Sequence, residues 1–420
     1  MKKALLFLAV VSVVYLGWSE IQSLRKQYLK KETYIKHLKR DLFLKKMRSP
    51  LPRWMKEQID EDFLPFETTG IAQKRVEATF AKIGETHPSP MVVRYRILNH
   101  RLYRHFSEGE LISLEDNSTE LALKTLLECT GLPDMDFILS FFDGITLGEG
   151  YLEVSKDLQA PVFFSAKVLG APHVILIPDW RSIGLWWISD IKHVRSRMDK
   201  FPWEKKREFA LWRGSLTNPI RRKLCQLSKE YPEYLDAKFN DEANPQVKKE
   251  LMQEGLFGDR VTWEEFLGCK YLPLMDGVVC AAPAFQWRLL SNSVILKPDS
   301  NEVQWFYRDL KPYVHYIPVK SDLSNFIEKL DWAKEHDSAC KEMASRASQF
   351  AKESLMYEDI LLYFTHVLTR YAKLQRIDAR QIAKEMQDDP SWVCIQERKK
   401  LRKKAEEQQM QGFFPYATPF

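Results

Sequence analysis

The sequence predicts an α/β protein with parallel sheets and an N-terminal membrane-anchor helix. Short apolar runs of strand length alternate with helical stretches along most of the chain, which is typical of layered α/β domains. An apolar run directly after Lys2 and Lys3 predicts the anchor. With 420 residues the chain is long for a single hydrophobic core, so two domains are expected.

The N-terminal segments predict a membrane tether. Residues 1–20 are predicted to be a membrane anchor or signal segment, and the apolar run there, of about fifteen residues, is shorter than the roughly 20 that span a bilayer. Residues 21–60 carry twelve Lys or Arg against four Asp or Glu and predict a basic amphipathic helix and a linker. Because basic residues beside an anchor stay on the cytoplasmic side, a single N-terminal anchor at the cytoplasmic face is favoured. A cleaved signal peptide is the alternative.

Composition excludes several classes of function. Hydrophobic residues make up 45% of the chain and charged residues 29%, which argues against disorder and against a multi-span membrane protein. The six cysteines are scattered, without the spacing of a disulfide scaffold or a structural zinc site. The net charge of +6 is concentrated in residues 21–60 and leaves the rest nearly neutral, so nucleic-acid binding is not expected.

Apolar runs place the strands of the body. The predicted strands are 137–142, 174–177, 209–212, 271–275, 294–296 and 314–317. A helix is predicted over 118–129 with Ser118 as its N-cap and Glu120 facing outward, and another over 322–349. Ligands of parallel sheets bind outside the carboxyl ends of the strands, so the residues that follow each strand are the first candidates for a site.

The segment 211–222 predicts an anion site. A strand runs into a glycine turn, then into the capping candidates Thr217 and Asn218, with Pro219 at the first helical position. Free N–H groups at a helix N-terminus bind anions, and neighbouring arginines add charge-assisted hydrogen bonds to a diphosphate. The residues that would hold it are Arg213, Gly214, Ser215, Thr217 and Arg221 or Arg222. A capped helix with exposed arginines is the alternative.

Two acidic segments are further candidates. Asp143 follows an apolar strand and precedes Gly144, which suits a general base, although an Asp-Gly turn explains the pattern equally well. Asp134 and Asp136 have the acid-x-acid spacing that can hold a divalent cation. They precede the strand, which favours a turn or a cap.

The segment before strand 294–296 offers an aromatic residue and a cation near a second crevice. Phe285, Trp287 and Arg288 lie there, and Trp287 fits a core position equally well.

Read together, these segments resemble the capsule-associated and protein O-glucosyltransferase family, glycosyltransferase family 90. The most specific matches are Leu-Pro-Asp-Met at 132–135, Arg-Gly-Ser at 213–215 with Arg221, Tyr-Leu-Asp-Ala at 234–237, Lys-Tyr-Leu at 270–272 and the long run 305–323. They occur in the same order over more than half of the chain.

The resemblance implies a fold and a division of the chain. The family has two facing Rossmann-like domains, the GT-B type, with the donor held by the C-terminal one. Transferred to this chain, the acceptor domain covers 61–205 and the donor domain 206–345, followed by closing helices at 346–375 and a charged tail at 376–420.

The resemblance also implies an activity. It is the inverting transfer of a hexose or pentose, glucose or xylose, from a UDP-sugar to a hydroxyl of a surface glycan such as lipopolysaccharide or capsule, a lipid-linked sugar or a protein. No metal and no other cofactor is expected.

Site residues follow from the resemblance position by position. Asp143 falls on the catalytic base, Ser215 and Arg221 on donor-binding positions, and Trp180 beside the acceptor or sugar. The complete predicted donor site is Arg213, Gly214, Ser215, Thr217, Arg221, Asp236, Phe285 and Arg288. The stretch 281–285 lacks an arginine that the family has there, and Arg288 follows one helical turn later.

Two other functions remain open. One is a metal-dependent transferase that uses Asp134 and Asp136. The other is a non-catalytic, membrane-tethered glycan-binding protein.

Overall fold

The computed structural model describes residues 40–86, 91–106, 117–141, 160–281 and 284–398. Met1–Pro50 forms one compact unit and Leu51–Phe420 another. The predicted anchor, residues 1–20, and most of the basic helix lie outside the described residues. Among the helices that the structure describes, none combines the length and the hydrophobicity needed to cross a bilayer.

Helices and strands alternate through the described chain. The helices are α1 (Arg40–Met47), α2 (Arg53–Phe63), α3 (Gln73–Thr86), α4 (Ser118–Thr130), α5 (Leu185–Met198), α6 (Pro219–Glu230), α7 (Pro245–Gln253), α8 (Trp263–Leu267), α9 (Ala284–Leu290), α10 (Phe326–Glu335), α11 (Asp337–Ser354), α12 (Tyr357–Leu374) and α13 (Ala379–Asp388). The strands are β1 (Ile71–Ala72), β2 (Val92–Leu98), β3 (Arg101–His105), β4 (Met135–Ser140), β5 (Val162–Phe164), β6 (Lys167–Val168), β7 (Val174–Leu176), β8 (Arg207–Ser215), β9 (Leu235–Asp241), β10 (Cys269–Pro273), β11 (Val294–Pro298), β12 (Glu302–Val303), β13 (Ile317–Val319), β14 (Gln375–Arg376) and β15 (Trp392–Cys394).

A five-stranded sheet is parallel throughout, as the alternating pattern predicted. Its order is β13-β11-β10-β8-β9. Strands β10 and β11 are buried at every position, which is typical of a parallel sheet covered on both faces. The chain enters the sheet at β8, adds β9 on one side and then crosses to β10 on the other. The crossover direction therefore reverses between β8 and β10.

A six-stranded mixed sheet precedes it in the chain. Its order is β15-β3-β2-β4-β5-β7, with β4, β5 and β7 parallel and the other pairs antiparallel. Strands β6 and β12 form a short antiparallel pair. Strand β6 follows β5 of the six-stranded sheet, and β12 follows β11 of the five-stranded sheet. Both sheets lie in the compact unit Leu51–Phe420, and the domain boundary at 205/206 remains a prediction.

The predicted strands and helices match the structure with local differences. The last predicted strand, 314–317, lies later, at Ile317–Val319. Helix α4 begins where predicted, but its N-cap is Asn117, which forms a capping box with Glu120. Glu120 is fully buried rather than outward-facing, because its carboxylate accepts hydrogen bonds from Arg398 at 2.9 and 3.1 Å.

The predicted charged tail is folded over its first part. Residues 376–398 include α13 and β15, and β15 pairs antiparallel with β3 at the edge of the six-stranded sheet. The buried Arg398 fixes the end of this segment to Glu120. Charge density alone did not reveal a strand and a buried ion pair in this segment.

Candidate active site

A cleft of about 450 Å³ opens at the point where the crossover direction reverses. Its walls come from the end of β8, the first turn of α6, the residues after β10, and α9. Open parallel sheets bind their ligands at this position, because two neighbouring loops there turn in opposite directions and leave a crevice. The topology therefore places the candidate site at the Arg-Gly-Ser segment that the sequence singled out.

Close packing at the end of β8 accounts for Gly214. A β-carbon at this position would lie 2.6 Å from the ring of Trp212. Trp212 is buried and lines the cleft, so a side chain at 214 would displace one wall of the site.

The helix that begins beside the cleft is capped as predicted. The Asn218 side chain accepts a hydrogen bond from the Ile220 N–H at 3.1 Å, and Pro219 is the first helical residue. Asn218 Nδ2 also donates to the Gly277 carbonyl at 3.0 Å. One side chain thus orients the helix start and ties it to the loop after β10.

Replacing this cap should have a modest effect on stability. Asn218→Ala removes both contacts, and we expect the free energy of unfolding to fall by about 1 kcal/mol. Chemical denaturation measures it. Asn244→Ala, at the similarly capped start of α7 and away from the cleft, is the matched control and should cost a similar amount without affecting ligand binding. A larger loss of ligand affinity in Asn244→Ala than in Asn218→Ala would contradict the assigned role.

Arg221 holds the two strand ends together. Its guanidinium donates to the carbonyls of Ser215, Asp276 and Met275 at 3.0, 2.8 and 3.1 Å. Of the five N–H groups of an arginine, two remain for a ligand. Burial lowers the pKa of Arg221 to about 10, yet the group stays charged at neutral pH.

Arg213 is largely neutralised by another predicted residue. Its two Nη atoms donate to the Asp236 carboxylate at 3.0 and 2.7 Å, a bidentate pair, and Nε donates to the Asp259 carbonyl at 3.0 Å. The pair shapes the wall of the cleft. It leaves Arg213 with little capacity for an anion.

Arg288 is the least compensated cation of the site. Only 3% of it is exposed, its Nη1 donates to the Ala284 carbonyl at 3.1 Å, and its buried Nε has no hydrogen-bond partner. The guanidinium lies over the ring of Trp287, with 4.4 Å to the centroid. Within the described residues it forms no ion pair. Burial, and next the charge of Arg221, lower its pKa to about 9.

The other predicted residues are distributed around this cleft. Gly214 and Ser215 line it. Thr217 does not line it, and its Oγ1 lies 3.3 Å from the position a β-carbon on Gly277 would take. Phe285 does not line it, because its ring is fully buried against Phe306 and Tyr307.

One predicted residue lies elsewhere, and another is not described. Trp180 is 47% exposed, and its neighbour Arg181, rather than Trp180 itself, lines the cleft. The predicted base, Asp143, lies outside the described residues. The sequence reasoning missed the aromatic wall formed by Trp212, Trp263 and Phe266. The position of Trp212 at the end of a predicted strand was the available signal.

The alternative cation site at Asp134 and Asp136 is not supported. Asp136 is fully buried, and its carboxylate accepts from Arg94 Nε at 2.8 Å and from Arg96 Nε at 2.6 Å. Asp134 instead accepts from the Asn99 N–H at 2.8 Å. The acid-x-acid spacing here reflects an ion-pair network and a turn.

Comparison with known proteins decides the family. A family model described as glycosyl transferase family 90 matches residues 52–415. The chain belongs to glycosyl transferase family 90. The family assignment makes it a glycosyltransferase, which confirms the predicted enzyme class.

Similar curated proteins are O-glucosyltransferases by name. The chain is 32% identical over 333 residues to Protein O-glucosyltransferase 1 of Homo sapiens, covering 75% of this chain and 79% of that protein. It is 28% identical over 342 residues to O-glucosyltransferase rumi of Drosophila melanogaster, covering 77% of each.

Solved structures are more distant. HepE of Anabaena in complex with UDP and glucose is 11% identical with a TM-score of 0.31, covering 57% of this chain and 66% of that chain. A glycosyltransferase from Rickettsia africae is 9% identical with a TM-score of 0.37, covering 54% and 68%.

Proposed function

We propose that this family 90 enzyme transfers glucose or xylose from a UDP-sugar to an acceptor hydroxyl, with inversion and without a metal. In this proposal the donor diphosphate lies in the cleft between Arg221 and Arg288. The two large sheets correspond to two facing Rossmann-like domains of the GT-B type, 61–205 for the acceptor and 206–345 for the donor.

The observation that carries the proposal is the isolated guanidinium of Arg288. A buried cation without a carboxylate partner destabilises a protein unless a ligand compensates it. Arg288 and Arg221 line one cleft, and each has N–H groups that no described residue uses. A diphosphate would supply anionic oxygens to both. Two arginines also provide charge stabilisation for the departing UDP of the kind that a metal supplies in other transferases.

The catalytic base in this proposal is Asp143. An acceptor hydroxyl is a weak nucleophile until a base removes its proton. Attack on the anomeric carbon from the side opposite the leaving UDP inverts the configuration. Asp143 follows β4 in the six-stranded sheet, whereas the donor arginines belong to the five-stranded sheet region. This division of roles agrees with an acceptor domain and a donor domain.

The name Protein O-glucosyltransferase 1 of one relative supports a protein hydroxyl as the acceptor. A surface glycan or a lipid-linked sugar is the alternative, which the predicted anchor at the cytoplasmic face would favour. In either case the exposed Trp180 offers an apolar surface at the acceptor side.

Arg288→Met tests the donor site through binding and stability together. We expect UDP affinity to fall by about 30-fold, because charge-assisted hydrogen bonds are lost. The free energy of unfolding of the ligand-free protein should not fall, because a desolvated charge is replaced by an apolar side chain of similar length. Calorimetric titration with UDP and chemical denaturation measure the two quantities.

The matched control is Arg222→Met, at the residue next to Arg221 in α6. Arg222 pairs with Glu254 and does not line the cleft, so the UDP affinity of this variant should equal that of the wild type. Equal affinities of the Arg288 variant and the wild type would remove Arg288 from the donor site. Equal losses in both variants would indicate only a general effect of net charge.

A further inference from the structure

Three buried polar side chains form a chain that ends on helix α9. Asp179, Ser182 and Gln286 are 6%, 0% and 1% exposed. Ser182 Oγ is hydrogen-bonded to Asp179 Oδ2, and it lies 2.6 Å from Gln286 Oε1. Asp179 and Ser182 belong to the turn after β7 in the six-stranded sheet, whereas Gln286 belongs to α9 beside the five-stranded sheet.

The hydrogen positions on the three side chains depend on one another. Ser182 has a single hydroxyl hydrogen, which cannot be donated to two acceptors at once. In one arrangement a protonated Asp179 donates to Ser182, which donates to Gln286 Oε1. In the other the Gln286 amide is turned over, so that Nε2 donates to Ser182 and Ser182 donates to the Asp179 carboxylate. Burial raises the pKa of Asp179, which favours the first arrangement. Both arrangements keep the chain continuous.

The Asp179 end of this chain is fixed. Asp179 Oδ1 accepts from the main-chain N–H groups of Arg181 and Ser182 at 3.0 and 3.1 Å. The same turn is held from outside by Tyr357, whose hydroxyl donates to the Ile183 carbonyl at 3.1 Å. A fixed turn can hold whatever is bonded to it, and Arg181 in this turn lines the cleft.

The Gln286 end carries the least compensated cation of the cleft. Helix α9 has only seven residues, and a helix this short is not stable without tertiary contacts. Gln286 faces the turn, and Arg288, two positions later, lines the cleft. The hydrogen bond to Ser182 is the one side-chain hydrogen bond that the structure describes from α9 to the turn after β7.

We propose that the Asp179–Ser182–Gln286 chain positions Arg288 against the donor diphosphate by tying α9 to the turn after β7. The role rests on the proposed function, since it requires Arg288 to bind the donor. Ser182 and Gln286 are positioning residues: they touch no substrate and act through Arg288.

A double-mutant cycle between Ser182 and Arg288 tests this role in the full-length protein. Ser182→Ala should weaken UDP binding by about 5- to 10-fold in the wild-type background, because Arg288 is less well placed. In the Arg288→Met background the same substitution should change UDP affinity by less than about 2-fold, because the group it positions is gone. Titration calorimetry with UDP gives all four affinities.

Two further variants keep the test decisive. Gln286→Met breaks the chain at its other end, leaves Asp179 bonded to Ser182, and should reproduce the result if Ser182→Ala does not fold. Ser228→Ala is the matched control: Ser228 is a buried serine bonded to Leu235 O and Ala237 N, away from the cleft. It should lower stability and leave UDP affinity unchanged.

The outcomes separate the positioning role from the donor site itself. Equal effects of Ser182→Ala in both backgrounds, or a lower melting temperature with unchanged affinity, would overturn the positioning role and leave the donor site standing. A wild-type protein that does not bind UDP would overturn the donor site, and the positioning role with it.

Discussion

Asp143→Asn is expected to lower the rate of sugar transfer by about 100-fold or more while UDP affinity stays unchanged. The amide keeps the size and polarity of the side chain but cannot accept the proton of the acceptor hydroxyl. Asp143 follows the carboxyl end of β4, whose neighbour β5 is parallel to it. The ends of parallel strands are where α/β enzymes place catalytic groups.

Turnover and binding must be measured on the same preparation. Asp134→Asn is the matched control, since Asp134 lies before β4 and contacts only the Asn99 N–H among the hydrogen bonds that the structure describes for it. It should retain wild-type turnover. An active Asp143→Asn enzyme would remove Asp143 from the catalytic role. A loss of UDP binding in this variant would place it in the donor site instead.

Asp136→Ala is expected to lower the free energy of unfolding by about 3–5 kcal/mol. The substitution removes the buried carboxylate nearest to two buried arginines, Arg94 and Arg96, and leaves them only longer ion pairs of 3.4–3.7 Å to the partly exposed Glu77 and Glu385. Gln73 also loses an acceptor, because its Nε2 donates to Asp136 Oδ2 at 2.6 Å. One substitution therefore disturbs α3 and the centre of the six-stranded sheet together.

Chemical denaturation of Asp136→Ala and Asp134→Ala distinguishes this network from a cation site. The network predicts a large loss for Asp136, a loss below about 1 kcal/mol for the partly exposed Asp134, and transfer activity that EDTA does not affect. A cation site predicts that both variants lose activity together and that both keep wild-type stability. That second result would restore the metal-dependent alternative.

Part of the parallel sheet could be predicted because the central residues of three strands form apolar runs. Residues 210–212 of β8, 271–272 of β10 and 294–296 of β11 are apolar and buried, whereas β9 alternates buried and partly exposed residues and was not predicted. Strand β2 was missed because its sequence contains Arg94 and Arg96, which are buried only because Asp136 lies opposite. An ion pair between strands leaves no pattern in either segment alone.

The candidate site also has features that the sequence predicted and features that depend on tertiary contacts. The cap at Asn218 and the first turn of α6 are local features, and the sequence predicted them. The predicted turn at Gly214 is wrong, because β8 continues through Ser215 and Gly214 pairs with Phe239 of β9. The pairing of Arg213 with Asp236 and the isolation of Arg288 depend on which strands and helices become neighbours. The sequence identified these residues as candidates but did not show which charges are compensated by neighbouring groups. In the structure Arg288 is the strongest candidate for binding an anion, because its charge is the least compensated.

Release of UDP from a panel of UDP-sugars, with and without EDTA, is the most direct test of the proposed sugar transfer. We expect the wild-type protein to release UDP from UDP-glucose or UDP-xylose, EDTA to have no effect on this release, and the release to fall in Arg288→Met. Release that EDTA abolishes would contradict the metal-independent mechanism. UDP binding without release from any sugar, in the presence of protein and glycan acceptors, would contradict catalysis and favour a glycan-binding role.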